Sequence, residues 1–366
     1  MKILHLLYES KGDYFGIGGV GVRAYELYKF IGKRHDITLL CKKYKGAKDG
    51  VINGIKHVFC GIESNSLTVA LLSYALFASI YVRLNGHKYD VIIEEFSPAI
   101  PTFLYSYRKR PLVAQIQGFT GWRYFGKYNP IYALTLFVFE HIFPKLYKNL
   151  ILVNAVTARR LNLPKDINMA VIPNGIDETL LKAPMGEDSY ILYLGRIDIH
   201  TKRLDLLIKA YEDVYKSYPE IKLVIAGDGR DMEKLNTILS GLDEKIRKNI
   251  SLPGWVEKEQ KLEYLSNAFI VVLPSQYEVQ PITVTEALAA GRAVVVSDIE
   301  ELEAAVKAGL CVSFKSGDYK SLAAQIINLI KDTELRHTLG RTGRQWACDY
   351  HWEKLSADFE NFLLTL

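Results

Sequence analysis

Two acids eight residues apart, Glu278 and Glu286, lie in the stretch FIVVLPSQYEVQPITVTEALAAGRAVVVS, residues 269–297. A carboxylate can accept two hydroxyl hydrogens, which makes it a natural partner for a ribose 2′,3′-diol. Alone the pair says little, because acids at this distance recur by chance and an acid near a helix start is an ordinary dipole partner. Two cations add chemistry. Arg196 follows Gly195 at the end of an apolar run, and Lys202 comes six residues later, just before a helical stretch. An arginine fork and a lysine point charge near a helix N-terminus suit a diphosphate, whereas an isolated pair of loop cations is by default solvated.

The elements that must hold these groups are legible around them. Phe269–Leu273 is apolar and β-rich and reads as a buried strand of a parallel sheet, closed by Pro274 and Ser275. A polar loop with Glu278 follows, then a short helix Ile282–Ala290, stopped by Gly291 where a left-handed cap is wanted. From Arg292 the chain is strand again. In an open α/β sheet, ligands bind beyond the carboxyl ends of the strands. Both acids fall there.

A second candidate is Gly16-Ile17-Gly18-Gly19-Val20-Gly21, which has the G-x-G-x-x-G spacing between the strand Lys2–Tyr8 and a helix Val22–Ile31. The spacing alone is weak. A nicotinamide site wants a tight loop and an acid after the second strand; here ESKGDYF intervenes and the second strand, Asp36–Cys41, ends in Lys42 and Lys43. A glycine loop that lets backbone approach a phosphate or sugar fits better, a surface turn being the plain alternative.

Strand and helix signals alternate through both halves. In the first, Val91–Ile93, Leu112–Ile116, Leu150–Val153 and Ala170–Ile172 read as strands, Leu67–Leu84 as a buried core helix, and Tyr128–Leu146 as an aromatic helical region; a basic loop follows Cys41. Pro173-Asn174-Gly175 is a strong turn, and the alternation restarts with Tyr190–Leu194, Lys222–Ala226, Phe269–Leu273 and Ala293–Ser297. Such alternation predicts parallel, doubly wound sheets. At 366 residues, 49% hydrophobic and 24% charged, the chain fits two soluble domains. A net charge of +5 suits phosphate-bearing ligands or an anionic surface but is too weak to argue for nucleic acid. The four cysteines have no metal or redox spacing, and MKILHLLYE reads as a strand rather than a signal peptide, so a reduced, cytoplasmic setting is expected.

In order and spacing, IPNGID (172–177), YLGRIDIHTKRLDLLIKAY (193–211), LVIAGDG (223–229), SLPGWV (251–256), YLSNAFIVVLPS (264–275) and EVQPITVTEALAAGRAVVVSD (278–298) resemble the retaining, nucleotide-sugar-dependent glycosyltransferases of family 4. The resemblance implies the α/β GT-B fold: two Rossmann-like doubly wound domains facing each other across a cleft, with a C-terminal helix crossing back to the first. It places an acceptor domain at 1–175, a donor domain at 176–345 and the returning helix at 346–366. It implies that Arg196 and Lys202 neutralise the donor diphosphate, Glu286 holds the ribose and Glu278 contacts the donor sugar. Backbone at Gln280, Pro281 and Ile282 would face sugar hydroxyls and phosphate, Gly254, Trp255 and Val256 would lie near the base, and Gly18 and Gly19 would close the cleft. No metal or other cofactor is implied, since arginine, lysine and a helix N-terminus do that work.

The chain departs from the family at three places. Gln117 stands where members usually carry a histidine after the strand Leu112–Ile116, an acid stands near Glu95, and Val279-Gln280-Pro281 replaces a glycine-containing loop. Gln117 is expected to face the donor sugar. The stretch from Phe119 to Lys148 is aromatic and basic, with Trp122, Arg123 and Tyr124 as acceptor candidates; aromatic faces stack on sugars or meet lipid. The expected activity is retaining transfer from a nucleoside-diphosphate sugar to a sugar, lipid-linked or other hydroxyl acceptor, at the inner membrane face where the acceptor is lipid. A binding protein that keeps the nucleotide site without turnover, and an epimerase on the same fold, are the alternatives.

Overall fold

A computed structural model describes residues 1–9, 19–184 and 190–366. Two compact units form, one from residues 1–174 with 352–366, the other from residues 175–351.

The first unit is built on β1 (Lys2–Leu7), β2 (Asp36–Lys42), β3 (Gly50–Ile52), β4 (Ile55–Cys60), β5 (Val91–Glu95), β6 (Leu112–Ile116), β7 (Asn149–Leu152) and β8 (Asn168–Val171), in spatial order β3-β4-β2-β1-β5-β6-β7-β8. Neighbours pair in parallel except β3 and β4. That pair is a hairpin turning at Asn53-Gly54, both with positive φ, 53° and 79°. Asn-Gly is the composition such a two-residue turn wants. The sequence reading saw only the basic loop before it.

The central strands are mostly apolar and buried on both sides, as a parallel sheet requires, with His5, Glu94, Glu95 and Gln115 the polar exceptions among them. Helix α1 (Gly19–Ile31) and the C-terminal helix Trp352–Leu364 cover one face, with Tyr28 edge-on to Phe359 at 6.3 Å. Arg34 and His35 each reach Glu360 at 2.5 Å, and the Arg34 guanidinium holds that carboxyl down to about 2. Helix α2 (Leu67–Asn85) covers the other face through Tyr74, Ala75, Ala78 and Val82. Its opposite side is bare, with Leu76 59% and Leu84 66% exposed. The expected buried core helix is therefore buried on one side only. Helix α3 spans Pro130–Ile142, with Asn129 capping it by accepting from the Tyr132 N–H at 3.0 Å; Pro144 confines the following residues to a short 3-10 turn.

The second unit carries β9 (Tyr190–Leu194), β10 (Lys222–Ala226), β11 (Ile250–Gly254), β12 (Ile270–Leu273), β13 (Ala293–Ser297) and β14 (Val312–Phe314), all parallel, in order β11-β10-β9-β12-β13-β14. From β9 the chain winds to β10 and β11 on one side, then returns to build β12, β13 and β14 on the other. The winding reverses between β9 and β12. The short strands β11 and β14 were not anticipated, because their alternating or brief apolar patterns are weak signals.

Candidate functional site

Strand β9 ends at Gly195, and the next residues run backbone to backbone with the segment after β10. Gly195 N–H donates to the Ala226 carbonyl at 3.0 Å, Ile197 N–H to the Asp228 carbonyl at 2.8 Å, and Gly227 N–H to the Gly254 carbonyl at 2.7 Å. The approach leaves no room for side chains: a Cβ on Gly227, where φ is +152°, would lie 1.8 Å from the Gly195 oxygen. These ladder extensions fix where Arg196 and Gly254 emerge.

Asp198 then caps the helix Ile199–Lys202, accepting from the Thr201 N–H at 3.0 Å and from Arg230 at 3.0 Å. Burial pushes the Asp198 carboxyl up, but the Thr201 N–H and Arg230 outweigh it and leave it below its ordinary value. The cap sets the last residue of that turn. Lys202 Nζ lies 2.5 Å from Glu278 Oε1, the two side chains being 16% and 9% exposed. The loop bearing Glu278 is itself pinned to the turn, through Gln276 N–H donating to the Thr201 carbonyl at 2.9 Å.

Tyr193 reports how these charges converge. Its hydroxyl donates to the Arg196 carbonyl at 2.8 Å. Burial, then the nearby Glu278 carboxylate, push the phenol far up, while Arg196 pulls it down. Arg196 itself is exposed.

The helix Ile282–Ala289 follows, opened by Pro281, which offers no side-chain cap. Uncapped N–H groups at a helix start favour an anion or a hydroxyl oxygen. Thr283 Oγ1 donates to the Leu194 carbonyl at 3.1 Å and ties this helix to the end of β9. Glu286 sits within the helix, buried, with Lys261 Nζ 2.5 Å from its Oε1. Gly291 has φ +71°, the left-handed stop its position called for. At the end of β11, Gly254 has φ +80°, Val256 is buried in the core, and Trp255 is exposed with its Nε1 donating to Glu257 at 2.7 Å.

Arg196, Lys202, Glu278, Gln280, Pro281, Ile282 and Glu286 thus gather at the carboxyl edge of one sheet, with Gly254, Trp255 and Val256 two strands along. Arg196 follows β9 and Glu278 follows β12, so they flank the point where the winding reverses. That crevice is the general ligand position of an open α/β sheet. Gly19 and Gln117 belong to the first unit, Gly19 opening α1 and Gln117 following β6; Gly18 lies outside the described residues. The sequence reading missed Lys261 and Thr283, whose partners lie 25 and 89 residues away.

The first unit holds a separate polar cluster. Glu95, at the end of β5, accepts from Gln115 at 2.5 Å and Gln117 at 3.0 Å, and lies 3.1 Å from His5, whose other nitrogen is 2.7 Å from the Tyr28 hydroxyl. Nearby Arg23 is fully buried, donating to the carbonyls of Pro173 at 2.6 Å and Ile172 at 2.8 Å. Burial pulls its guanidinium down to about 10.

The family model for glycosyl transferases group 1 matches residues 182–346, and that for glycosyltransferase family 4 matches residues 17–180. The chain belongs to the GT-B glycosyltransferases of the family 4 type. Within the family it is 29% identical, over 238 residues, to a phosphatidyl-myo-inositol mannosyltransferase of Mycobacterium leprae; the match covers 62% of each chain. The chain thus spans less than two thirds of that relative's length. The GT-B fold of a sucrose-phosphate synthase from Thermosynechococcus elongatus superposes over 100% of this chain and 98% of that one, with TM-score 0.80 and 18% identity. The Anabaena protein HepE, solved with UDP, covers 100% of both chains with TM-score 0.75 and 16% identity.

Proposed function

We propose that this protein transfers a hexose-type sugar, with retention, from a nucleoside-diphosphate sugar to a hydroxyl acceptor that is lipid-linked. The observation that carries this reading is the pairing of Lys202 with Glu278 beside Arg196 at the reversal point of the second sheet. This largely covered Lys–Glu ion pair can exchange partners: a diphosphate recruits the ammonium, and the freed carboxylate turns to sugar hydroxyls. Arg196 and the uncapped helix start at Ile282 supply the remaining positive potential, which is the role a divalent metal otherwise fills. Glu286, oriented by Lys261, takes the ribose diol, and Gly254–Val256 borders the base.

In the transfer, the bond from the sugar's anomeric carbon to the diphosphate oxygen breaks as the acceptor oxygen bonds to the same face. The acceptor proton passes to the departing phosphate oxygen. The chain's own part is to hold charge and geometry rather than to form a covalent intermediate. The family membership, the UDP held by the HepE structure and the lipid named in the mycobacterial relative support this reading. Action at the cytoplasmic face of a membrane follows from a lipid-linked acceptor.

The test is calorimetry of UDP, GDP and ADP against wild type, Arg196→Ala and Lys202→Ala. A charge-assisted hydrogen bond contributes roughly 1.5–3 kcal/mol, so each variant should bind the preferred diphosphate about ten- to a hundredfold more weakly, with the bare nucleoside unaffected. Unchanged diphosphate affinity in both variants would falsify the assignment.

A further inference from the structure

We infer that the second unit binds a further anion, a free phosphate or a small phosphomonoester, in a pocket of arginines at the amino edge of its sheet. The site is separate from the proposed donor site and stands independently of that reading.

The pocket encloses about 270 Å³, and its polar lining is Arg292, Arg336, His337 and Arg341, gathered around Phe269 and the start of β13. Phe269 stands just before β12 and Arg292 just before β13, whereas Arg196 and Glu278 follow the far ends of β9 and β12. The four residues of β12 put roughly 13 Å of strand between the two edges. An anion in this pocket is therefore a second ligand and not the donor's diphosphate.

The lining carries three guanidinium groups, one imidazole and no acid. Two of the guanidiniums are set in place before any ligand arrives. Arg292 is buried, its Nε donating to the Ala290 carbonyl and its Nη1 to the Ala268 carbonyl, each at 3.1 Å. Arg336 is also buried, lying 3.9 Å over the Phe269 ring and donating from Nη1 to the Leu329 carbonyl at 2.7 Å. Arginine is seldom buried so deeply, and a fork held on carbonyls and a ring loses little freedom when an oxyanion docks.

Arg341 is the movable member. It is 59% exposed, and its Nη2 donates to Glu334 Oε1 at 3.0 Å and to Thr338 Oγ1 at 3.1 Å. Glu334 is 80% exposed, and an ion pair as open as this one contributes little, so an anion in the pocket can draw Arg341 away from it. The other acid close by in sequence, Asp332, caps the helix Thr333–Ala347 by accepting from the Leu335 N–H at 2.9 Å. Guanidinium forks match the oxygens of a phosphate in pairs. The volume sets the size of the ligand: too small for a nucleotide, ample for a phosphate carrying a few carbon atoms.

Calorimetry with inorganic phosphate and with glycerol phosphate, at physiological ionic strength so that exposed charges are screened, tests this. Wild type should bind at least one of them saturably within about 1 mM, and Arg196→Ala, which removes a cation from the donor edge, should retain that binding. Arg341→Glu, at an exposed position and so expected to keep the wild-type melting temperature, places a carboxylate at the pocket and should weaken binding by about a hundredfold or more. Lys315→Glu makes the same change of charge at an exposed position just past the carboxyl end of β14 and should leave the affinity within about twofold. Tighter binding of inorganic phosphate identifies the free ion as the ligand, and tighter binding of glycerol phosphate a phosphomonoester. The inference is overturned if neither anion binds, or if Arg341→Glu binds them like wild type. It is equally overturned if Lys315→Glu weakens binding as much, which would make the effect one of net charge, or if Arg196→Ala abolishes binding, which would move the anion to the donor edge.

Discussion

The two units use the same architecture, a mainly parallel sheet with helices on both faces, and place their polar groups differently. In the second, Arg196, Lys202 and Glu278 stand at the carboxyl edge of the sheet, on loops that glycine backbones hold in place, while Arg292 and Arg336 are buried elsewhere. Its surface is otherwise polar, and among the described residues Trp255 is its only large apolar side chain left exposed. In the first, His5, Glu94, Glu95, Gln115 and Arg23 are sealed inside, while apolar side chains crowd the outside of α2 and α3. Sealed polar groups fix a structure; ion pairs at a strand edge whose lysines still reach solvent, Lys202 at 16% and Lys261 at 34% exposed, can change partners. On the proposed function, the edge ion pairs of the second unit exchange a charged ligand, while the sealed cluster of the first keeps its sheet fixed.

The contrast is broken most severely at the glycines. Gly227→Ala puts a methyl group into the Gly195 carbonyl, 1.8 Å away, so the ends of β9 and β10 must part. Loss of about 3 kcal/mol or more is expected, at the upper end of overpacking effects, together with loss of diphosphate binding. Gly19→Ala in the first unit meets nothing within 4 Å and should leave stability within about 0.5 kcal/mol. Thermal denaturation of the two variants decides it; equal effects would remove the distinction between a tightly packed glycine and one with free space around it.

Next is the sealed acid. Burial raises the Glu94 carboxyl to about 7, opposed by the hydroxyls of Thr102 and of Tyr147, the latter at 2.7 Å. A folded value above the unfolded one means that the proton stabilises the fold. Stability is then fullest below about pH 4.5 and falls as pH rises through about 7, by up to about 3 kcal/mol. Glu94→Gln should flatten this part of the profile and melt higher than wild type near pH 8. Melting curves from pH 4.5 to 8 that are parallel for both proteins would show that Glu94 does not titrate in this window.

Much of the second unit was legible in its sequence, because its signals are local. The run to Leu273, the Pro-Ser stop, the helix to Ala289 and the Gly291 cap follow one another within 30 residues, and the strand ends place Arg196 and Glu278 at one edge. What was not legible comes from distance and direction. Nothing in the sequence joins Lys261 to Glu286, or His5 to Glu95 across 90 residues. Composition marked Leu67–Leu84 as apolar but could not say that only one side of the helix would find a partner. The Asn53-Gly54 hairpin was the exception, a local signal that was passed over.

Gln117 draws the smallest expected effect and sharpens the comparison most finely, because it belongs to the sealed cluster and yet stands at a strand end. Its amide nitrogen donates to Glu95 Oε2 at 3.0 Å, and Glu95 is also held by Gln115 and His5. An amide offers two hydrogens and two acceptor positions, so this bond leaves others for a sugar hydroxyl, while the group cannot titrate near neutrality and so cannot serve as acid or base. The family's usual histidine at this position could do both. Glu95 thus sets the orientation of the Gln117 amide, and if the donor contact proposed for it holds, Gln117→Ala should raise the donor's half-saturation or lower turnover by the roughly 0.5–1.5 kcal/mol of a neutral hydrogen bond. Gln117→His should retain transfer. The measurement is steady-state donor kinetics beside the melting temperature: unchanged kinetics with a lowered melting point would assign Gln117 to the sealed cluster alone, whereas slowed transfer at an unchanged melting point makes it the first unit's contribution to donor recognition.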